Sequence, residues 1–341
     1  MKPEHLKRRF IEGRKLVNIK PEIEPSLLGE TGDETLSIIE LLKGTWSSPA
    51  QGWNLIALPF KDPGAPFNYR LLVNQYGETL RFGPLADINV PNRGIVPDDL
   101  GSTDQLIDGV TYEQIISQIS ADDFPQSTLK SPNNKPIHHE PGFFLQMINH
   151  ISSQGNDKFR IARLASIPHG DSVLAMGTAN EIQGRPDISD LNALPLRVDG
   201  SVDTDPYLGP YKHFEDHKFL GNVDPGKVPD FPGFFSTNAN AILQFANAKF
   251  SVRKTTVLNF DTQFKSGGIL NIPFVEREAN ATDMHATFWI MELEQEDETL
   301  PKQFVMQYSQ TVFLDFFLSK GNPTELIRWP HVSINTLRKV Q

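Results

Sequence analysis

Alternation of apolar and polar residues dominates this chain, and such alternation is typical of β-strands with one buried face. The segment 306–316 shows the pattern best. One face carries Met306, Tyr308, Val312, Leu314 and Phe316, and the other carries Gln307, Ser309, Thr311 and Asp315. We therefore predict a strand here with one face against a core and the other face in water.

Similar stretches recur along most of the chain, usually separated by Gly, Pro or Asn. The predicted strands are 53–60, 67–75, 78–82, 110–116, 138–148, 159–167, 172–179, 242–252, 255–264, 269–276, 286–293, 304–317 and 328–337. The 24 Gly and 26 Pro residues favour many short elements joined by turns. Successive strands without helices between them predict an all-β, antiparallel barrel or sandwich.

The segments outside this pattern define the predicted organisation. Residues 1–32 are polar and are predicted to form an N-terminal extension, after which Asp33 caps a short amphipathic helix that ends at Gly44. Residues 33–341 then form one barrel domain, enlarged by extra strands and by an insertion at 180–237. This insertion is rich in Pro, Gly and aromatic residues, so we expect it to pack onto the barrel or to cover an opening.

An alternative organisation has two consecutive barrels, formed by residues 33–179 and 238–341. It depends on an internal similarity between GWNLIALPF at 52–60 and GGILNIPF at 267–274. The similarity covers one strand only, and composition alone can produce it. The single enlarged barrel is therefore the main prediction.

Composition narrows the possible environments and partners. The chain has no cysteine, which excludes disulfides and thiolate metal sites. A net charge of −10 disfavours nucleic acid as a partner. No apolar run is long enough to span a membrane, and Glu4 and Glu12 interrupt the basic start of the chain, so no secretory signal is predicted. We expect a cytoplasmic protein with a small-molecule ligand, and the sequence leaves the oligomeric state open.

Histidines are the candidate functional residues, because the chain lacks a phosphate-binding loop and the common hydrolase and metalloprotease motifs. His331 lies in Arg-Trp-Pro-His-Val-Ser, where a period of two places Trp329, His331 and Ser333 on one face of the last strand. An imidazole that points into a barrel can ligate haem iron. Alternatively, His331 is a hydrogen-bonded residue of the core or rim, or Val332 and Ile334 form the inward face.

Two further histidine sites are weaker candidates. His169 lies between two strands in Ile-Pro-His-Gly-Asp, so it is either an exposed turn residue or a residue at the mouth of a pocket. His138, His139 and Glu140 could bind a metal, although adjacent strand residues point to opposite faces. A role for one histidine of that pair as a titrating group oriented by Glu140 also remains open.

Aromatic residues on the predicted strands could form the wall of a hydrophobic cofactor site, although such residues more often form plain core. The cofactor-binding candidates are Trp46, Trp53, Phe143, Tyr308 and Trp329, with Phe144 and Trp289 as further members of the aromatic set.

Four segments together resemble a known family. They are Glu-Thr-Leu-Ser-Ile-Ile-Glu-Leu-Leu-Lys-Gly-Thr-Trp at 34–46, Met-Gln-Tyr-Ser-Gln-Thr-Val at 306–312, Trp-Pro-His-Val-Ser-Ile-Asn-Thr-Leu-Arg-Lys at 329–339 and, more loosely, His-Glu-Pro-Gly-Phe at 139–143. These segments are similar to the nitrobindin-like haem-binding β-barrels, which have the calycin, fatty-acid-binding-protein-like architecture. The resemblance implies a calycin-like barrel that binds haem b, with His331 as the proximal ligand of the iron.

Three hypotheses for function follow. In the first, a haem barrel handles a small oxidant such as peroxide, peroxynitrite or nitric oxide, as a peroxidase or a peroxynitrite isomerase would. His169 then transfers a proton, and Arg163 or Arg160 stabilises charge. In the second, the barrel carries a fatty acid or another apolar molecule, anchored by Arg163 or Tyr112. In the third, it is a structural or partner-binding barrel filled by its own side chains.

Overall fold

The computed structural model describes eleven stretches of the chain, and the fold is built from them. They are residues 38–60, 64–85, 92–98, 101–105, 107–127, 135–147, 161–196, 207–264, 267–297, 299–319 and 322–340. The predicted extension at 1–32, the predicted cap Asp33 and the candidate Arg160 lie outside the described residues.

The described residues form thirteen strands and four short helices. The strands are β1 (Gly44–Pro59), β2 (Tyr69–Pro84), β3 (Asn92–Asp98), β4 (Gly101–Gln105), β5 (Ile107–Phe124), β6 (Pro136–Met147), β7 (Ile161–Ile167), β8 (Asp171–Gln183), β9 (Val252–Asp261), β10 (Gly268–Asn271), β11 (Asn280–Leu293), β12 (Phe304–Ser319) and β13 (Asn322–Lys339). The helices are α1 (Ile38–Leu42), α2 (Gly209–Asp216), α3 (Ala241–Asn247) and α4 (Pro273–Ala279). None of these helices is long and apolar enough to cross a membrane.

The strands form a closed antiparallel barrel in which each strand pairs with its neighbours along the chain. Ten strands follow one another in the order β1, β2, β5, β6, β7, β8, β9, β11, β12 and β13, and the pairing of β13 with β1 closes the circle. The eleventh strand of the sheet, β10, continues the edge of β8 beyond β9, whereas β3 and β4 form a separate hairpin. The structure confirms the predicted all-β antiparallel barrel, and strands from both halves of the chain share it.

One end of the barrel is filled by apolar side chains. Helix α1 lies against β5 and β6 at this end, and the Trp46 indole donates a hydrogen bond of 2.8 Å to the carbonyl of Leu42. Below it, Phe144 makes edge-to-face ring contacts at 5.3 Å with Phe82, 5.2 Å with Phe260 and 5.6 Å with Phe288. Aromatic pairs favour this arrangement. The barrel interior is therefore solid core at this end.

The outer face of β1, β2 and β13 is covered by the segment that connects β8 to β9. Buried residues of this connection, among them Tyr211, Phe214 and Leu243, pack in one cluster with the outward-facing side chains of those strands. Gly221 shows how closely the two layers approach, because a Cβ at this position would lie 2.4 Å from Oε1 of Gln75, and its φ of +56° also favours glycine. The predicted insertion therefore packs on the side of the barrel.

Two helices replace parts of predicted strands. Residues 242–252 were expected to be a strand, but the run Ala-Ile-Leu-Gln-Phe-Ala-Asn forms α3, because Ile242, Phe245 and Ala246 lie at helical spacing among good helix formers. Similarly, the predicted strand 269–276 ends at Asn271. Pro273 then occupies the first turn of α4, a position where its missing N–H costs nothing.

Helix α4 lies at the end of the barrel opposite α1. It contacts β1 as well as β11 and β12, so it reaches across this end from one part of the wall to another. Ile272 and Val275 pack on the turn between β7 and β8, where a Cβ on Gly170 would lie 2.5 Å from Cγ1 of Ile272. Because His169 immediately precedes that glycine, the helix and this histidine share one end of the barrel.

Candidate functional site

The inward positions of three neighbouring strands are polar in the middle of the barrel. Residues that pair directly in antiparallel strands point to the same side, so the register defines which side chains share the interior. Asn54 of β1 pairs with Ser333 of β13 and with Asn74 of β2. On β13, His331 and Asn335 lie on the same face as Ser333, two residues away on either side. Together these side chains form a polar surface inside the barrel.

His331 faces this interior as a neutral imidazole. Its Nε2 lies 3.0 Å from Nδ2 of Asn54, whose Oδ1 accepts a hydrogen bond of 2.7 Å from Nδ2 of Asn74. In this arrangement the Asn54 amide donates to Nε2, which assigns the imidazole proton to Nδ1. Burial lowers the pKa of His331 to about 3, and the nearby His138 and His169 contribute to the shift. The imidazole is therefore uncharged at neutral pH, and its Nε2 lone pair accepts the hydrogen bond from Asn54.

A buried ion pair lies across the interior on β6 and β7. Arg163 donates from Nη2 to Oε1 of Glu140 at 2.6 Å, from Nε to the Tyr112 hydroxyl at 3.1 Å and from Nη1 to Oε1 of Gln310 at 2.6 Å. The Tyr112 hydroxyl also donates to Glu140. Burial acts to raise the pKa of Glu140, but the Arg163 charge and hydrogen bonds from His138 and Tyr112 outweigh it and hold the pKa below its usual range. Both partners are therefore charged.

Two histidines extend this ion pair toward α4. Nε2 of His138 lies 3.1 Å from Oε2 of Glu140, and the His138 ring stacks on the His169 ring with centroids 5.5 Å apart. Burial and the neighbouring His138 lower the pKa of His169. The charged pair Arg163–Glu140 thus orients His138, and His138 contacts the exposed His169.

A second carboxylate lies between these groups and the apolar end of the barrel. Glu78 accepts hydrogen bonds of 2.7 Å from Gln114, Tyr308 and Asn335, and Tyr308 also bonds to Tyr76. Burial raises the pKa of Glu78 although these hydrogen bonds oppose the shift. Glu78 thus ties β2, β5, β12 and β13 together beneath the histidines.

The sequence-predicted residues occupy several parts of the molecule. His331, Arg163 and Tyr308 belong to the interior groups described above, whereas His169 is an exposed turn residue that stacks on His138. Of the other cofactor-binding candidates, Trp46 lies in the apolar end, Trp53 is on the outer face against Phe219 and Phe231, Phe143 is 40% exposed on the outer face, and Trp329 packs against Tyr69 and Phe316. The four aromatic candidates therefore do not surround His331.

Strand geometry explains this dispersal. The register of β1 shifts between Ser47 and Trp53, so that Trp46 pairs with Leu80 of the apolar interior whereas Trp53 pairs with Gln75 on the outer face. Phe143 precedes the inward-facing Phe144, so it points outward. The same rule separates His138 from His139, which is exposed beside Glu113 at 3.2 Å. Within the described part of the chain, no group of three His, Asp or Glu residues could hold a metal ion by itself.

Sequence reasoning missed most of the polar interior. The missed residues are Asn54, Asn74, Tyr76, Glu78, Gln310 and Asn335. A signal for some of them exists in β2, where Asn74, Tyr76 and Glu78 follow a period of two. We missed it because the apolar face of a strand is normally the inward face, whereas the apolar outer face here is covered by the connection between β8 and β9.

The fold and this interior define a class of protein, namely a closed ten-stranded antiparallel β-barrel with a polar, histidine-containing site inside one end. Among solved structures, that of Rv2717c from M. tuberculosis is similar, with 13% sequence identity, coverage of 89% of this chain and 94% of that chain, and a TM-score of 0.34. No protein-family model matches the chain, and no curated protein matches it.

Proposed function

We propose that the barrel interior binds haem b, with His331 as the axial ligand of the iron. The observation that carries this proposal is the neutral, inward-facing imidazole, whose Nε2 lone pair accepts a hydrogen bond from the uncharged Asn54 amide that a bound iron would replace. A lone pair on a neutral imidazole is what haem iron requires from a histidine ligand.

The polar groups around His331 also fit a bound group. Oδ1 of Asn74 is buried and has no hydrogen-bond partner among the described residues, although its amide nitrogen is bonded to Asn54. Buried polar atoms are rarely left unpaired, so an unpaired one marks a place where a ligand or water is expected. The residues present therefore fit haem at one point, the imidazole of His331 that would hold the iron. When bound, haem would supply an iron centre that binds and converts small oxidants.

His138 and His169 are the residues proposed to move protons. Glu140 accepts a hydrogen bond from Nε2 of His138 and thereby orients its ring, and the stacked His169 stays neutral at pH 7 because its pKa is lowered. A neutral imidazole can accept a proton from a small oxidant and return it. Arg163 acts as a positioning residue for Glu140, because its Nε, Nη1 and Nη2 atoms are all engaged with protein groups.

The carrier hypothesis receives less support from the same contacts. Its proposed anchors, Arg163 and Tyr112, both bond to Glu140 and are not available to a fatty-acid carboxylate. The interior near His331 is also lined with amides and histidines, which an acyl chain would leave without hydrogen bonds.

The test is a visible absorption spectrum of the purified protein after addition of haemin and removal of the excess. We expect a Soret band in the wild type, loss of that band in His331→Ala, and no change in His139→Ala, a matched control on the outer face. Circular dichroism would show that both variants remain folded. A wild-type protein without a Soret band, or a band of unchanged position and intensity in His331→Ala, would contradict the proposal.

A further inference from the structure

A cavity lies outside the barrel, between its wall and the connection from β8 to β9. It has a volume of about 370 Å³, and its lining includes Trp53, Phe231, Phe245, Lys249 and Arg338. The cavity is separate from the proposed haem site, because Trp53 is on the outer face of β1 and pairs there with Ile334, not with the inward-facing residues of β13. Cavities of a few hundred Å³ are the usual size for small-molecule sites.

Aromatic rings form the walls of this cavity. The rings of Trp53 and Phe231 lie 5.6 Å apart, and those of Phe231 and Phe245 lie 6.0 Å apart. Ile242 of α3 completes the apolar surface. Such walls would bury an apolar chain by the hydrophobic effect.

The rim of the cavity carries two cations. Nζ of Lys249 lies 4.0 Å from the ring centroid of Phe245, and the guanidinium carbon of Arg338 lies 5.6 Å from that of Phe250. These cation–π contacts hold both side chains beside the opening. Neither cation forms an ion pair with a carboxylate of the described residues, so both are available to an anion.

We propose that this cavity binds a small anionic amphiphile, namely a carboxylate with a medium-length acyl chain. The chain would lie between Trp53, Phe231 and Phe245, and the carboxylate would pair with Lys249 and Arg338. Two positive groups beside an apolar cavity in a chain of net charge −10 favour this ligand over a cationic or neutral one. The proposal is independent of haem, because the two sites share no residue.

The experiment is a calorimetric titration of the full chain with decanoate and, as a matched ligand of opposite charge, decylammonium. We expect saturable binding of decanoate, and affinity for decylammonium that is weaker by about tenfold or more, as expected for loss of a charge-assisted contact. The double variant Lys249→Gln, Arg338→Gln should lose about tenfold or more in affinity for decanoate. Lys254→Gln, which removes a lysine of β9 outside this cavity, should leave the affinity unchanged.

A second variant tests the location of the acyl chain. Ala246 lines the cavity, so Ala246→Phe should fill it and abolish decanoate binding while circular dichroism stays unchanged. His331→Ala should bind decanoate as the wild type does. The proposal is overturned if decanoate does not bind, if decylammonium binds equally well, if the double variant or Ala246→Phe binds normally, or if His331→Ala is the variant that loses binding.

Discussion

Two five-residue stretches, on the strands that flank β12, have opposite patterns. In 284–288 of β11, Met284 and Phe288 face the interior, and His285 between them faces outward with 42% of its side chain exposed. In 331–335 of β13 the order is reversed, because the inward residues are polar and the outward ones are apolar. There, Val332 and Ile334 point outward and are fully buried. The same barrel thus has one wall segment with an apolar interior and one with a polar interior.

This comparison shows how the barrel can keep a polar site inside. Apolar burial stabilises a fold wherever the apolar area leaves water, and it need not occur inside the barrel. On β13 the burial occurs on the outer face, beneath the connection from β8 to β9. The inner face of the same strand is then free to carry His331 and Asn335. We infer that the covering segment supports the site by stabilising the strand that carries it.

The largest expected effect comes from breaking the buried ion pair. Arg163 reaches from β7 to Gln310 of β12, which pairs on one side with Ala286 and on the other with Ser333. Arg163→Met should lower the free energy of unfolding by about 3–5 kcal/mol, because it removes the permanently charged partner of the buried Glu140 carboxylate.

Urea denaturation measures this loss. The control is Arg81→Met, which removes an exposed partner of Glu113 and should cost about 1 kcal/mol or less. Equal losses in the two variants would show that the interior ion pair contributes no more than a surface pair.

The next effect tests whether the outer face of β13 is core. Ile334→Ala should lower the free energy of unfolding by about 2–5 kcal/mol, as for other buried large-to-small changes. Thr287→Ala, at an outward position of β11, should cost about 1 kcal/mol, the typical value of its hydrogen bond to Asn259. Thermal or urea unfolding of both variants measures the difference between them. A loss under about 1 kcal/mol in Ile334→Ala would show that the outer face of β13 is not core.

A smaller effect concerns the pH dependence of stability. The folded-state pKa of His331 is depressed to about 3, so between that value and about 6.5 the unfolded chain binds a proton that the folded chain does not. Stability is therefore fully present above pH 6.5 and falls as the pH falls.

On going from pH 7 to pH 5, the His331→Gln variant should lose less stability than the wild type, by on the order of 1–2 kcal/mol. Glu140, whose pKa is also depressed, loses its contribution only at lower pH and does not confuse the comparison. Urea denaturation of both proteins at pH 7 and at pH 5 measures this difference in the free energy of unfolding. Identical pH slopes for wild type and variant would mean that His331 protonates freely in the folded protein.

The smallest effect concerns the hydrogen bonds beneath the histidines. Tyr308→Phe removes the hydroxyl that donates to Glu78 at 2.7 Å and should lower the free energy of unfolding by about 1–2 kcal/mol. The matched change Tyr211→Phe removes a buried hydroxyl in the outer cluster that has no hydrogen-bond partner among the described residues, so its effect should be smaller. Chemical denaturation of the two variants tests the difference, and the opposite order would count against the network.

Periodicity predicted the strands and the all-β class because alternation is a local property of the chain. It also placed Trp329, His331 and Ser333 on one face of the last strand. Whether that face points inward could not be predicted, because the apolar residues Val332 and Ile334 suggest the opposite orientation. The answer depends on the distant segment that covers them.

The interior network was beyond prediction for a similar reason. Arg163 was a candidate on sequence grounds, but its partners Tyr112 and Gln310 are 51 and 147 residues away along the chain. Only the closed sheet brings them together. The aromatic candidate Phe143 could have been placed better from sequence alone, because strict alternation already assigns it to a different face from Phe144.

The central claim is that β13 presents a neutral imidazole to the barrel interior. Nitrogen-15 NMR of the histidine side chains, with His331 assigned from the His331→Gln variant, measures its protonation directly as the pH is lowered. The account predicts that the His331 signals keep the neutral pattern, with the proton on Nδ1, down to pH 5. A His331 ring that titrates near pH 6.5, as a solvent-exposed histidine does, would contradict it.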